Sequence, residues 1–167
     1  MNDETNFIPV KTEEDIAKLA ILAEAIWKEA YHILLSKEQI DYMLGLFQSA
    51  LALNEQINKQ SYHYFFITYG GKTAGYMGYN IANGKLFLSK FYLQQDFRGK
   101  GISKSVFTFL NQVCAENKLS AIWLTVNKEN NTAIAVYQKN GFQILREEKN
   151  AVGNGFYMDD YILEKEI

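Results

Sequence analysis

The sequence predicts an α+β fold in the order β-α-α-β-β-β-α-β-α-β-β, on three observations. Between Tyr62 and Leu93, three aromatic and β-branched runs are separated only by Gly70-Gly71 and Asn83-Gly84, two-residue signals of tight hairpins. On either side of that stretch, apolar residues recur at helical spacing, in places behind capping residues. Between the last hairpin strand and a long helical stripe stands Arg98-Gly99-Lys100-Gly101, two glycines interleaved with two cations.

Each element has its own signal. Phe7 to Val10 reads as a short strand. Thr12, followed by Glu13, Glu14 and Asp15, caps a helix start and matches its dipole, and Ile16, Leu19, Ala20, Ala23 and Ile26-Trp27 carry that helix to about Ala30. Ser36 and Gln39 form a capping box ahead of Ile40, Met43, Leu44 and Phe47. Tyr62 to Tyr69, Ala74 to Ile81 and Lys85 to Leu93 are the hairpin strands, and Ile102, Val106, Leu110 and Val113 line the long helix. Ala121 to Val126 is a compact strand, and Thr132 to Lys139 a short helix closed by Asn140-Gly141. Phe142 to Glu147 and Gly155 to Leu163 complete the strands.

Composition narrows the function classes. At 167 residues and 48% hydrophobic, residues 1–167 form one domain with a substantial core. A net charge of −2 gives no global pull toward nucleic acid or an anionic membrane, so any anion must be caught locally. Cys114 is the only cysteine, which leaves no internal disulfide framework and suits a reducing compartment. The acidic start and the absence of a long apolar run point to a soluble cytoplasmic protein, with no metal assigned and no nucleic-acid or membrane partner.

The glycine pair lies where a strand hands over to a helix. There the first N–H groups of the helix lack intrahelical partners and its positive dipole end faces outward. Glycine lets the backbone approach a pyrophosphate, and Arg98, Lys100 and Lys104 add charge-assisted contacts. A bare turn with solvated cations is the alternative, and spacing alone leaves both open. Two other phosphate loops are excluded. Gly71-Lys72-Thr73 has Phe66 where a P-loop needs its first glycine, and Lys104 stands where a dinucleotide fingerprint needs its third.

Arg98-Gly99-Lys100-Gly101-Ile102-Ser103 resembles the acetyl-CoA loop of the GNAT superfamily of N-acetyltransferases, with small Ser103 in place of the closing Gly or Ala. About 30 residues on, Asn131-Thr132-Ala133-Ile134, Tyr137 and Asn140-Gly141-Phe142 are similar to the second signature of that family. The ending from Gly153 to Tyr161 also looks like that of bacterial members near the spermidine/spermine acetyltransferases. The resemblance implies a central mixed, mostly antiparallel sheet flanked by helices, a three-layer sandwich in some schemes. It implies acetyl-CoA as cosubstrate, held by Phe91, Leu93, Arg98, Gly99, Lys100, Gly101, Ile102, Ser103, Lys104 and Asn131, with the strand before the loop splayed from the next.

The implied reaction makes definite demands. An alkyl amine near pKa 10.4 lies about three and a half units above neutrality, roughly 4–5 kcal/mol, so a base or a desolvated pocket is needed. Attack on the thioester builds an oxyanion and expels a thiolate, which calls for a proton donor. Tyr137 is the donor the family pattern offers; on its helix face it also reads as a core aromatic. The strand Phe87-Leu88-Ser89-Lys90-Phe91 has no carboxylate to act as base. Glu29, Asp159 and Asp160 are candidates that also read as surface charges, and a water chain is the other option. Trp27, Tyr31 and Tyr42, with Asp159, are the candidates for the acceptor pocket, while His32 and His63 read as structural. The expected activity is acetyl transfer to a primary amine of a polyamine-like molecule or a peptide. The alternative is a non-catalytic acyl-CoA-binding module. Oligomeric state is open, a homodimer included.

Overall fold

The computed structural model describes residues 4–167. Its elements are β1 (Thr5–Pro9), α1 (Glu13–Tyr31), α2 (Lys37–Phe47), α3 (Ala50–Lys59), β2 (His63–Tyr69), β3 (Lys72–Ala82), β4 (Lys85–Leu93), α4 (Ile102–Glu116), β5 (Ala121–Asn127), α5 (Asn131–Lys139), β6 (Gln143–Gly153) and β7 (Phe156–Glu166). The strands hydrogen-bond in the order β1-β2-β3-β4-β5-β7-β6. The β4–β5 pair is parallel, and β1–β2, β2–β3, β5–β7 and β6–β7 are antiparallel. This is the mixed, mostly antiparallel α+β sheet with helices that the sequence predicts.

Two elements differ from expectation. A third helix, α3, stands before β2; Ser49 caps it by accepting from the Ala52 N–H at 3.2 Å. Among its residues only Leu53 is buried, so its apolar stripe is too thin to announce a helix. Its hold is tertiary: the Gln56 amide donates to the Phe47 carbonyl at 2.8 Å, and Gln56 Oε1 accepts from the Tyr64 hydroxyl at 2.6 Å. Strand β6 runs past the expected Glu147 to Gly153, because Asn154 and Gly155, at φ +54° and +76°, make a further two-residue hairpin turn. Asn83-Gly84 makes the same turn at φ +55° and +75°.

The chain divides into two compact units, one of residues up to Asn80 with Lys90–Ile102, the other of Ile81–Ser89 with Ser103–Ile167. In the first, Thr12 and Asp15 close a reciprocal capping box on α1, which buries Ile16, Leu19, Ala23 and Ile26 in one cluster with Val10, Leu53, Tyr64 and Tyr76. The tyrosine hydroxyls in this core are satisfied in series. Trp27 Nε1 donates to Tyr76 at 2.8 Å, Tyr76 donates to Gln48 Oε1 at 2.7 Å, and Gln48 Nε2 reaches the Tyr64 hydroxyl at 3.2 Å. Burial pushes the ionisation of both tyrosines well above the ordinary phenol range. Two glycines of β3 lie against their neighbours. A Cβ on Gly75 would lie 2.0 Å from the Tyr92 carbonyl oxygen, and one on Gly78 2.5 Å from the Tyr64 ring.

In the second unit, β4 pairs with β5 over Lys85–Phe87 against Ala121–Trp123, where Phe87 and Trp123 stack at 4.2 Å. Helix α4 buries Val106, Phe107, Leu110 and Cys114 at helical spacing, and α5 buries Ile134 and Tyr137. No helix among the described residues is long and apolar enough to cross a membrane.

Candidate functional site: the glycine loop and its flanks

At the end of β4 the chain is tied back to β3. Gln94 donates its backbone N–H to the Ala74 carbonyl at 2.7 Å and its side-chain amide to the Thr73 carbonyl at 2.8 Å. A single 3-10 turn over Gln95–Phe97 follows, with the Phe97 ring edge-on to Tyr69. Arg98 then makes four contacts. Its Nε and Nη2 donate to the Leu93 carbonyl at 3.3 and 3.2 Å, and its Nη1 and Nη2 to Glu29 Oε1 and Oε2 at 3.4 and 2.7 Å. Glu29 was a candidate base on sequence grounds; here its carboxylate is engaged by Arg98.

Beyond Arg98 the backbone turns left-handed twice, at Gly99 (φ +74°) and Gly101 (φ +78°). A Cβ at either position would meet no heavy atom within 4 Å. These glycines are required by conformation, and the space beside them is open. Ile102, fully buried, anchors the first turn of the 15-residue α4, and Ser103 is half-buried beside it. Lys100 and Lys104 are exposed, and among the described residues neither carries an ion pair. The loop thus combines left-handed glycines, a helix start and two free cations, an arrangement chemically suited to a polyanion.

The other expected site residues each have partners within their own unit. Tyr92 packs on Trp27, Tyr31 and Tyr76 with ring centroids 5.8, 6.1 and 5.6 Å away, so strand alternation puts Phe91 and Leu93 on the opposite face of β4. Trp27 is only 3% exposed, and the Tyr31 and Tyr92 hydroxyls share a hydrogen bond of 2.8 Å. Asp159 pairs with Lys128 at 3.0 Å; the hydrogen bonds that Lys128 donates to Glu147 and Asp159 hold its pKa up at about 12. Asp160 is buried in β7. His32 caps the end of α1, and His63 stacks on Tyr79 at 5.1 Å.

Helix α5 carries the second signature. Its N-cap is Asn130, whose Oδ1 accepts from the Ala133 N–H at 3.2 Å; Asn131, the first residue of the second signature, is the first helical residue and exposed. Tyr137 is 9% exposed and packs edge-on to Phe107 (6.1 Å) and Phe142 (5.7 Å). The Phe142 N–H closes the helix by donating to the Tyr137 carbonyl at 3.1 Å, with Gly141 at φ +94°. Sequence reasoning did not single out Gln48, Tyr92 or the Glu29–Arg98 pair. Glu29 and Arg98 are 69 positions apart, and no local pattern reports such a contact.

Comparison with known proteins adds independent findings. The family described as Acetyltransferase (GNAT) family matches residues 22–142. The spermine/spermidine N(1)-acetyltransferase of Bacillus subtilis is 32% identical over 84 residues, 45% of this chain and 55% of that protein, so the match spans about half the relative's length. The spermidine N(1)-acetyltransferase of Thermoplasma acidophilum is 25% identical over 150 residues, 87% of this chain and 91% of that one. Among solved structures, the PaiA N-acetyltransferase from Thermoplasma acidophilum in complex with coenzyme A superposes with a TM-score of 0.79 at 23% identity, covering 98% of this chain and 99% of that one. A GCN5-related N-acetyltransferase from Rhodopseudomonas palustris gives 0.77 at 12% identity, covering 100% and 97%. At these identities the structures speak for the fold.

Proposed function

The chain belongs to the Acetyltransferase (GNAT) family, and from that premise we propose that it transfers the acetyl group of acetyl-CoA to a primary amine of a small, polyamine-like molecule. The observation that carries this reading is the loop after β4. Gly99 and Gly101 are both left-handed, both face open space, and stand directly before the long helix α4. Backbone N–H groups at that helix start receive the diphosphate, with Lys100 and Lys104 supplying the counter-charge. The short β4–β5 pairing, Lys85–Phe87 against Ala121–Trp123, supports a role for the end of β4, at Phe91 and Leu93, along the pantetheine arm. Relatives named for spermine and spermidine support the polyamine class of acceptor.

In the reaction, the neutral amine attacks the thioester carbonyl carbon. The C–N bond forms, the C–S bond breaks, and the thiolate takes a proton from Tyr137 while the amine nitrogen loses one to water, which returns a proton to the tyrosinate. A phenol near pKa 10 gives its proton to a thiolate whose conjugate acid lies near 8.5 at a cost of about 2 kcal/mol in reference values, which a positioned donor can meet.

The test is thiol release from acetyl-CoA with a panel of amines that includes spermidine, spermine and a lysine peptide, beside calorimetric titration with CoA. Release with one class of amine supports transfer and names the acceptor. CoA binding with no release on any amine leaves a non-catalytic acyl-CoA-binding module.

A further inference from the structure

Resting on the reading that the glycine loop receives the diphosphate of CoA, we propose that Glu29 is a positioning residue for that loop. On the same grounds Arg98, whose charge Glu29 neutralises, is a staple rather than a phosphate ligand. The donor count carries this. A guanidinium has five N–H groups. Two contacts on the Leu93 carbonyl and two on Glu29 occupy four of them and leave one, on Nη1. Two-point binding of a phosphate needs a parallel pair of N–H groups, so Arg98 takes a phosphate in that way only by releasing Glu29 or the Leu93 carbonyl.

The geometry fits a staple. Arg98 binds the carbonyl of the last β4 residue from the position just before Gly99, so its side chain closes the turn over Gln95–Phe97, and Glu29 fixes the closed turn to α1. Two left-handed glycines follow at once. A glycine loop ordered only on binding loses affinity to that ordering, and a staple made beforehand removes the loss. Glu29 itself lies in the last turn of α1, where the helix dipole disfavours a carboxylate, so the helix gains nothing from a glutamate there and the loop does. With Arg98 and Glu29 cancelling, the charge left for an anion is that of Lys100 and Lys104.

CoA titration of Glu29→Gln, Arg98→Lys and Arg98→Gln at low and moderate salt, with Lys100→Gln as reference, separates the roles. The staple predicts that Glu29→Gln and both Arg98 variants each weaken CoA about tenfold, and that combining Glu29→Gln with Arg98→Gln weakens it no further. It also predicts that Lys100→Gln makes the salt dependence shallower while the charge-neutral double variant, Glu29→Gln with Arg98→Gln, leaves it unchanged. A phosphate-binding Arg98 predicts the reverse: Arg98→Lys keeps affinity, the double variant flattens the salt dependence, and Glu29→Gln binds CoA as tightly or more tightly. Any of these overturns the staple. Hydrogen exchange without ligand gives a readout independent of CoA. The amides from Gln94 to Gly101 exchange faster in Glu29→Gln and Arg98→Lys if the staple orders the loop, and unchanged exchange overturns it. If the wild-type protein binds no CoA, the reading of the loop fails, and exchange alone decides the staple. If Glu29→Gln does not fold, the two Arg98 variants decide between the same outcomes.

Discussion

Two pairs of glycines in one unit of the molecule answer to opposite constraints. Gly75 and Gly78 lie in a regular strand and are glycine because something occupies the place of a side chain: the Tyr92 carbonyl and the Tyr64 ring. Gly99 and Gly101 have open space where a Cβ would go and are glycine because φ is +74° and +78°. The first pair is explained by the fold alone. The second is shaped by the backbone and left without a packing partner, as Gly71, Gly84 and Gly155 are in their hairpin turns; what sets it apart is that the long helix α4 starts directly after it. The difference separates positions that serve packing from positions the fold holds but does not fill.

Tyr137 can break that division hardest. By geometry it belongs with packing, edge-on to Phe107 and Phe142 and 9% exposed, while the proposed chemistry makes it the acid. Tyr137→Phe keeps the ring and removes the hydroxyl. If the hydroxyl protonates the thiolate, turnover falls by about 10² to 10⁴ while CoA affinity and Tm hold. Near-normal steady-state turnover would return Tyr137 to the core.

Gly75→Ala sharpens the packing side. A Cβ 2.0 Å from a backbone oxygen cannot be absorbed by a rotamer change, so β3 or the end of β4 must move. The expected loss is about 3 kcal/mol or more, read from denaturant midpoints. Gly78→Ala costs less, because it displaces a ring rather than backbone.

Gly101→Glu sharpens the other side. A Cβ there meets no heavy atom within 4 Å, so the protein stays folded at a cost of about 1–2 kcal/mol for the left-handed φ. CoA at a hundredfold excess over Kd stabilises the wild-type protein by about 2.7 kcal/mol. That rise in Tm disappears in the variant, and an undiminished rise would remove the loop from the binding site.

How much of this was legible in the sequence follows the same division. The hairpins at Gly70-Gly71 and Asn83-Gly84 and the cap at Thr12 are local, and their residues announce them. Helix α3 was not legible, because a stripe with Leu53 alone buried is held by Gln56, Phe47 and Tyr64, contacts made at a distance. The loop was visible from its glycines and cations. The state of its arginine was not, since Glu29 meets it from another element. Trp27 and Tyr31 were visible as aromatics at helical spacing, but only the hydrogen bonds to Tyr76 and Tyr92 show that both are engaged within their own unit.

The smallest effect concerns adjacent asparagines, where a one-residue shift in the cap could not be read from two side chains of equal capping ability. Asn130 serves packing: its Oδ1 accepts from Ala133, so Asn130→Ala costs about 1 kcal/mol of stability. Asn131 is exposed at the first helical position, and among the described residues its side chain makes no hydrogen bond. Asn131→Ala therefore leaves the denaturation midpoint within about 0.5 kcal/mol of wild type. Asn131→Asp separates the remaining roles, because it favours the helix dipole slightly while placing a negative charge where the family pattern expects the cofactor. A few-fold loss of CoA affinity in Asn131→Asp, with stability unchanged or slightly raised, puts this side chain in the cofactor site. Equal CoA affinity in wild type, Asn131→Ala and Asn131→Asp leaves Asn131 a solvated helix residue, and the second signature then acts through α5 without its first asparagine.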